Sequence, residues 1–176
     1  MIYAGSESDW GPFNFNKNGE SMGFSIDYLK LVGEKTGLNF RFIKEESWDD
    51  LLSLFINREI DLLPFVLKTD ERKKYTLFSK PYFNGNLAVY INSENDSVKS
   101  LKDISGKKTA LLKSDAACEI ILNKFHDIEP VFYKKTENLV KSVSAKKTEA
   151  IINSPFVIEH FVMKNQIVDI KFLDYV

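Results

Sequence analysis

The side chain best suited to chemistry in this sequence is Arg72, within the stretch 61–83, Asp-Leu-Leu-Pro-Phe-Val-Leu-Lys-Thr-Asp-Glu-Arg-Lys-Lys-Tyr-Thr-Leu-Phe-Ser-Lys-Pro-Tyr-Phe. A guanidinium is a planar, permanently charged fork that matches a carboxylate. Taken alone, the segment favours a plainer reading, a surface arginine beside Lys73 and Lys74, solvated or paired with Glu71. Trp10 and Trp48 carry broad apolar faces that stack on planar or cationic groups. Both also suit core packing, Trp48 against Phe40 or Phe42, whereas Trp10 stands in a turn beside Gly11-Pro12.

Other chemistries find less support. His126 and His160 are far apart, have no Ser or Cys partner in a recognisable motif, and read as helix-end or surface residues. With a single Cys they cannot assemble a metal set, and no Gly-rich loop cradles a phosphate, so no cofactor is expected. Glu45, Glu46, Asp115 and Glu149 are candidate general acids, yet no pair has a spacing that marks it. The expectation is a binding protein and not an enzyme.

The elements that must position these groups follow from periodicity. Leu62 to Leu67 is an apolar run bounded by charge, which reads as a buried strand. Thr69 ahead of Asp70, Glu71 and Arg72 is a helix N-cap with acids in the first turn, and Tyr75 to Phe78 reads as strand again. Upstream, Ile2 to Glu7 is a strand, and Phe13 to Asn16 with Asn18-Gly19 suggests a hairpin or wide turn. Ser25 is expected to cap a helix to Thr36, stopped by Gly37; Leu38 to Ile43 is the next strand. Ser47 caps a second helix with Asp49 and Asp50 in its first turn. This βαβαβ order implies right-handed crossovers and a parallel sheet.

A strand at Asn86 to Ile91 leads to the polar break Asn92-Ser93-Glu94-Asn95-Asp96-Ser97. Beyond it the expected elements are a strand at Lys107 to Leu112, a helix at Ser114 to Phe125, and a strand at Ile128 to Tyr133. A helix capped by Thr136, a strand at Glu149 to Ile152, a helix from Ser154-Pro155 and a strand at Val168 to Leu173 complete the order. Two α/β lobes in series result.

Composition agrees with an ordinary globular chain: 176 residues, 44% hydrophobic, 28% charged, net charge −1. Lys and Arg are dispersed and the 14 Phe alternate with core-type residues, so no nucleic-acid partner is expected. The single Cys, Cys118, forms no intrachain disulfide and sits at a helix core position. No apolar run reaches bilayer length, and Met1-Ile2-Tyr3 is expected to enter a strand directly, so any export signal is expected to come from a segment outside this chain.

Thr69-Asp-Glu-Arg72-Lys-Lys followed by Phe78-Ser79-Lys80-Pro81-Tyr82 resembles the signature of type II periplasmic solute-binding proteins, bacterial extracellular family 3. Trp10-Gly11-Pro12-Phe13, Gly23-Phe24-Ser25-Ile26-Asp27, Trp48-Asp49-Asp50-Leu51-Leu52 and Glu59-Ile60-Asp61 match in the same order. The resemblance implies an α/β, two-lobe periplasmic-binding-protein-like fold, a Venus flytrap. Its expected parts are lobe 1 at 1–85, a hinge strand at 86–92, lobe 2 at 93–168 and a return hinge strand at 169–176. It also implies an extracytoplasmic location and a small carboxylate-bearing ligand in an interlobe cleft. The implied lobe 1 ligand set is Trp10, Phe13, Trp48, Leu67, Thr69 and Arg72; lobe 2 adds Ser114, Asp115, Asn153 and Ser154.

Departures from the family pattern narrow the ligand. Phe65, Val66 and Leu67 replace small polar residues, and Lys113-Ser114-Asp115 replaces a Gly-Thr or Gly-Ser nest. Asn153-Ser154 stand where an acid meets an amino acid's ammonium, so a plain carboxylate or a larger aromatic ligand competes with an α-amino acid. The short Leu62-Leu63-Pro64 link is similar to domains fused to histidine kinases and diguanylate cyclases, which suggests sensory input. A transport receptor, a cyclohexadienyl-type dehydratase and an interaction module with a collapsed cleft are the alternatives. In the family the chain crosses back to complete lobe 1. The expectation here is an incomplete lobe 1 prone to self-association, with the membrane reached only through segments outside the chain.

Overall fold

Parallel strands need a crossover, and the amino-terminal part of the chain builds its crossovers as helices. The computed structural model describes residues 1–45, 47–113 and 115–176. They fall into two units, Met1–Phe78 and Ser79–Val176.

In the first unit β1 (Ile2–Glu7) leads to a small antiparallel sheet of β2 (Asp9–Trp10), β3 (Asn14–Lys17) and β4 (Glu20–Met22). The β3–β4 turn holds Asn18 and Gly19 at positive φ, which is why that pair signals a hairpin. Helix α1 (Phe24–Thr36) then returns the chain to β5 (Phe40–Glu45), which pairs parallel with β1 from Ile2↔Phe40 to Glu7↔Glu45. Helix α2 (Trp48–Ile56) follows, its N-cap Ser47 accepting the Asp50 N–H at 3.3 Å. Ala4, Phe13, Ile26, Leu51 and Ile60 are buried between these elements.

Three local expectations change. Leu62 to Leu67 is not a strand: Leu62 makes one parallel bridge to Ala4 and the ladder stops. Pro64 has no N–H to donate, and Phe65 at φ 56° turns the backbone out of extended geometry. Tyr75 to Phe78 is not a strand either; it has no pairing partner among the described residues, and Leu77 is 99% exposed. The cap of α1 is Gly23 and not Ser25. Gly23 takes φ 113°, and a Cβ there would lie 2.5 Å from the Phe13 carbonyl oxygen. Ser25 instead sits inside the helix, its hydroxyl donating to that same oxygen at 2.7 Å.

The second unit is one five-stranded sheet in the order β10-β6-β9-β7-β8. Strands β7 (Lys108–Leu112), β8 (Glu129–Tyr133) and β9 (Ala150–Asn153) are parallel; β6 (Ala88–Asn92) pairs antiparallel with both its neighbours, β9 and β10 (Ile170–Tyr175). Side chains alternate between faces as strand geometry requires. Val89, Ile91, Leu111, Ala150 and Ile152 point to one face, under α3 (Ala116–Lys124) with Cys118 and Ile121. Ala88, Tyr90, Ala110 and Ile151 point to the other, under α4 (Thr136–Ser144) and α5 (Pro155–Lys164). Both faces are covered, so these strands read as continuous apolar runs.

Cap residues in this unit also shift. Asp115 caps α3, its carboxylate accepting the Ala117 N–H at 3.0 Å, and Ser114, the expected helix start and ligand residue, lies outside the described residues. Thr136 is the first residue of α4, not its cap, which is Lys135. Several strands begin one or two residues later than periodicity suggests, as element ends commonly do.

Candidate functional site

Arg72 occupies the first position of a 3₁₀ turn, Arg72–Lys74, and is 92% buried, being 8% exposed. Its backbone N–H donates to Thr69 Oγ1 at 3.2 Å, and the Lys73 N–H donates to the Thr69 carbonyl at 3.1 Å. Thr69 thus fixes the start of the turn, the work expected of a cap, although the turn is shorter than an α-helix. The guanidinium Nη1 donates to the Leu67 carbonyl at 3.2 Å. Trp48 covers the guanidinium, its ring centroid 5.1 Å from Cζ. Trp48 is placed by being the first residue of α2, so Ser47's cap aims the indole at Arg72.

A second aromatic group lies in the same unit. Trp10 packs on Phe13 at 5.2 Å between centroids and on Phe65 at 5.1 Å, and the Phe13 and Phe65 rings stack at 4.0 Å. The turn carrying Trp10 and Phe13 is fastened to the start of α1. Phe24 N–H donates to Pro12 O at 3.0 Å and Ser25 N–H to Phe13 O at 2.9 Å. These bonds satisfy helix N–H groups that have no partner within the helix. Phe65 joins the group only because its left-handed backbone turns the side chain back; nothing in its apolar neighbours signals this.

In the second unit Asp115 and Asn153 come together at the carboxyl ends of neighbouring strands β7 and β9, with Asn153 Nδ2 donating to Asp115 Oδ2 at 3.4 Å. Asn153 is 1% exposed, and its Oδ1 accepts the Ser154 N–H at 2.7 Å. This edge of an α/β sheet is where ligands collect. Here the start of α3 is served by the chain's own carboxylate, so the group presented is an acceptor of donors and not a nest for anions. Glu149 stands at the opposite end of β9 and cannot act with Asp115; its Oε2 is buried with no hydrogen-bond partner among the described residues.

Of the expected ligand residues, the first unit therefore gathers Thr69, Leu67, Arg72 and Trp48 in one cluster, and Trp10 and Phe13 in another. The second unit joins Asp115, Asn153 and Ser154. Cys118 takes no part: it is buried, its thiol donates to Leu112 O at 3.2 Å, and burial with the nearby Asp115 charge pushes its pKa up to about 12. Among the described residues no His, Cys, Asp and Glu group is placed to hold a metal ion, and no helix is long and apolar enough to cross a membrane.

The profile of the bacterial extracellular solute-binding proteins, family 3, matches residues 2–157. The chain is 24% identical over 171 residues to the arginine-binding extracellular protein ArtP of Bacillus subtilis, covering 93% of this chain and 65% of that protein. Other curated relatives are covered to a smaller extent, such as 43% of a probable amino-acid ABC transporter-binding protein of Haemophilus influenzae at 33% identity over 112 residues. An ancestral arginine-binding protein bound to arginine superposes with a TM-score of 0.87 at 25% identity, over 99% of this chain and 79% of that one.

Proposed function

Because the chain belongs to the bacterial extracellular solute-binding proteins, family 3, we propose that it binds a small carboxylate-bearing solute outside the cytoplasm, with Arg72 as the carboxylate's fork. The observation that carries this is the burial of Arg72, 8% exposed, in a turn fixed by Thr69 and beneath Trp48. A guanidinium held away from bulk water gains most from a charge-assisted, two-pronged contact. Within the second unit the Asp115 carboxylate, which accepts Asn153 Nδ2, is suited to a cationic or amide group. The likeness to arginine-binding proteins makes L-arginine the first ligand to try.

Ligand binding shifts the population toward the form that holds the ligand best, by its differential affinity for the two forms. We assign that shift to sensory input, on the compact Leu62-Leu63-Pro64 link. Delivery to a permease is the second reading, favoured by the likeness to a probable transporter-binding protein. The coding sequence downstream of Val176 separates them, since a membrane-spanning helix followed by a kinase or cyclase domain marks a sensor.

A thermal-shift screen against amino acids, dicarboxylates and aromatic acids tests the binding itself. The expected result is stabilisation by a carboxylate ligand that is lost in Arg72→Ala. A flat response across all three classes overturns the proposal.

A further inference from the structure

The Trp48 indole is more than an apolar wall. Its Nε1 is buried and has no hydrogen-bond partner among the described residues, while its ring face covers the Arg72 guanidinium with the centroid 5.1 Å from Cζ. Buried donors in folded proteins are almost always satisfied, so an orphan beside a nine-tenths buried cation calls for an explanation. The indole nitrogen is a donor only, so what it lacks is an acceptor. An anion received by Arg72 brings acceptor oxygens to the edge of this ring.

We propose that Trp48 Nε1–H is the second donor to the carboxylate that Arg72 receives. The indole lies on the guanidinium by cation–π contact. On binding, it turns so that its N–H meets a carboxylate oxygen and the fork is uncovered. The assignment rests on the carboxylate reading of Arg72 and gives that site a discriminating partner: a phenylalanine in this place would stack but not donate.

Trp48→Phe separates the two roles, because the ring remains and the N–H is lost. Calorimetry with L-arginine, L-glutamine and acetate is compared between the natural protein and this variant, alongside their melting temperatures without ligand. The expected result is about a tenfold loss of affinity, the scale of one hydrogen bond to a charged group. Removal of an unsatisfied buried donor should leave the ligand-free melting temperature unchanged or raised. A purely structural tryptophan would give the reverse pattern, a lower melting temperature and unchanged affinity, and that overturns the assignment. Binding by the natural protein with the same affinity in Trp48→Phe rejects this assignment alone. No heat with any of the three probes rejects the carboxylate reading of Arg72 and this assignment with it.

Discussion

Gly23→Ala is the perturbation that most directly tests how the aromatic turn is held. Gly23 has φ 113° and ψ 170°, a region that only glycine visits readily. Forcing alanine there costs roughly 1–3 kcal/mol of backbone strain. The added methyl would also lie 2.5 Å from Phe13 O and 2.8 Å from Pro12 O. Those two oxygens accept the Phe24 N–H, the Ser25 N–H and the Ser25 hydroxyl, at 3.0, 2.9 and 2.7 Å. Pushing them away weakens bonds worth about 1 kcal/mol each. The sum is a loss of roughly 3–5 kcal/mol, given incomplete loss of the three bonds. That corresponds to a drop in Tm of roughly 6–20 °C for a chain of this size. Tryptophan fluorescence is the right assay, because Trp10 and Trp48 both lie in the first unit and report its unfolding. A Tm within about 2 °C of the natural protein would refute the reasoning.

Other outcomes follow from the same structure. Leu139→Ala, at a fully buried position under the second unit's sheet, should cost about 2–5 kcal/mol by chemical denaturation, and a loss below about 1 kcal/mol would contradict that packing. Cys118, whose pKa is raised to about 12, stays a thiol at pH 8; it should resist Ellman's reagent in the native protein and react fully in guanidinium. The Asp103 carboxyl is held below its ordinary value by the Lys99 N–H and then the Ser100 hydroxyl and N–H. Its contribution is therefore present above the unfolded-state pKa of about 3.9 and is lost as pH falls through the lower folded value. Asp103→Asn should flatten the acid limb of a stability–pH curve below about pH 4, and an unchanged limb would count against it.

Much of the fold was legible because it is written locally. The Ser47 cap, the Asn18-Gly19 hairpin and the apolar strands of the second unit each follow from residues adjacent in sequence. The segment 62–67 was not, because its apolar run is the same whether it extends or turns, and the outcome depends on Phe65 adopting a left-handed backbone. Ser25 misled for a related reason: its cap-like chemistry was real, but it was directed at Phe13 O across a tertiary contact. Arg72 stood out only through resemblance, since its burial under Trp48 depends on a helix start that lies well upstream of it. The pairing of Asp115 with Asn153, 38 residues apart, is set by the sheet order and has no sequence signal of its own.

The central claim is that Arg72 receives a ligand's carboxylate, and calorimetry of L-arginine binding to the natural protein and to Arg72→Ala tests it most directly. The account predicts one-to-one binding weakened in the variant by roughly 1.5–3 kcal/mol, with the first unit still folded by its tryptophan fluorescence. Equal affinity in a folded Arg72→Ala protein would contradict it.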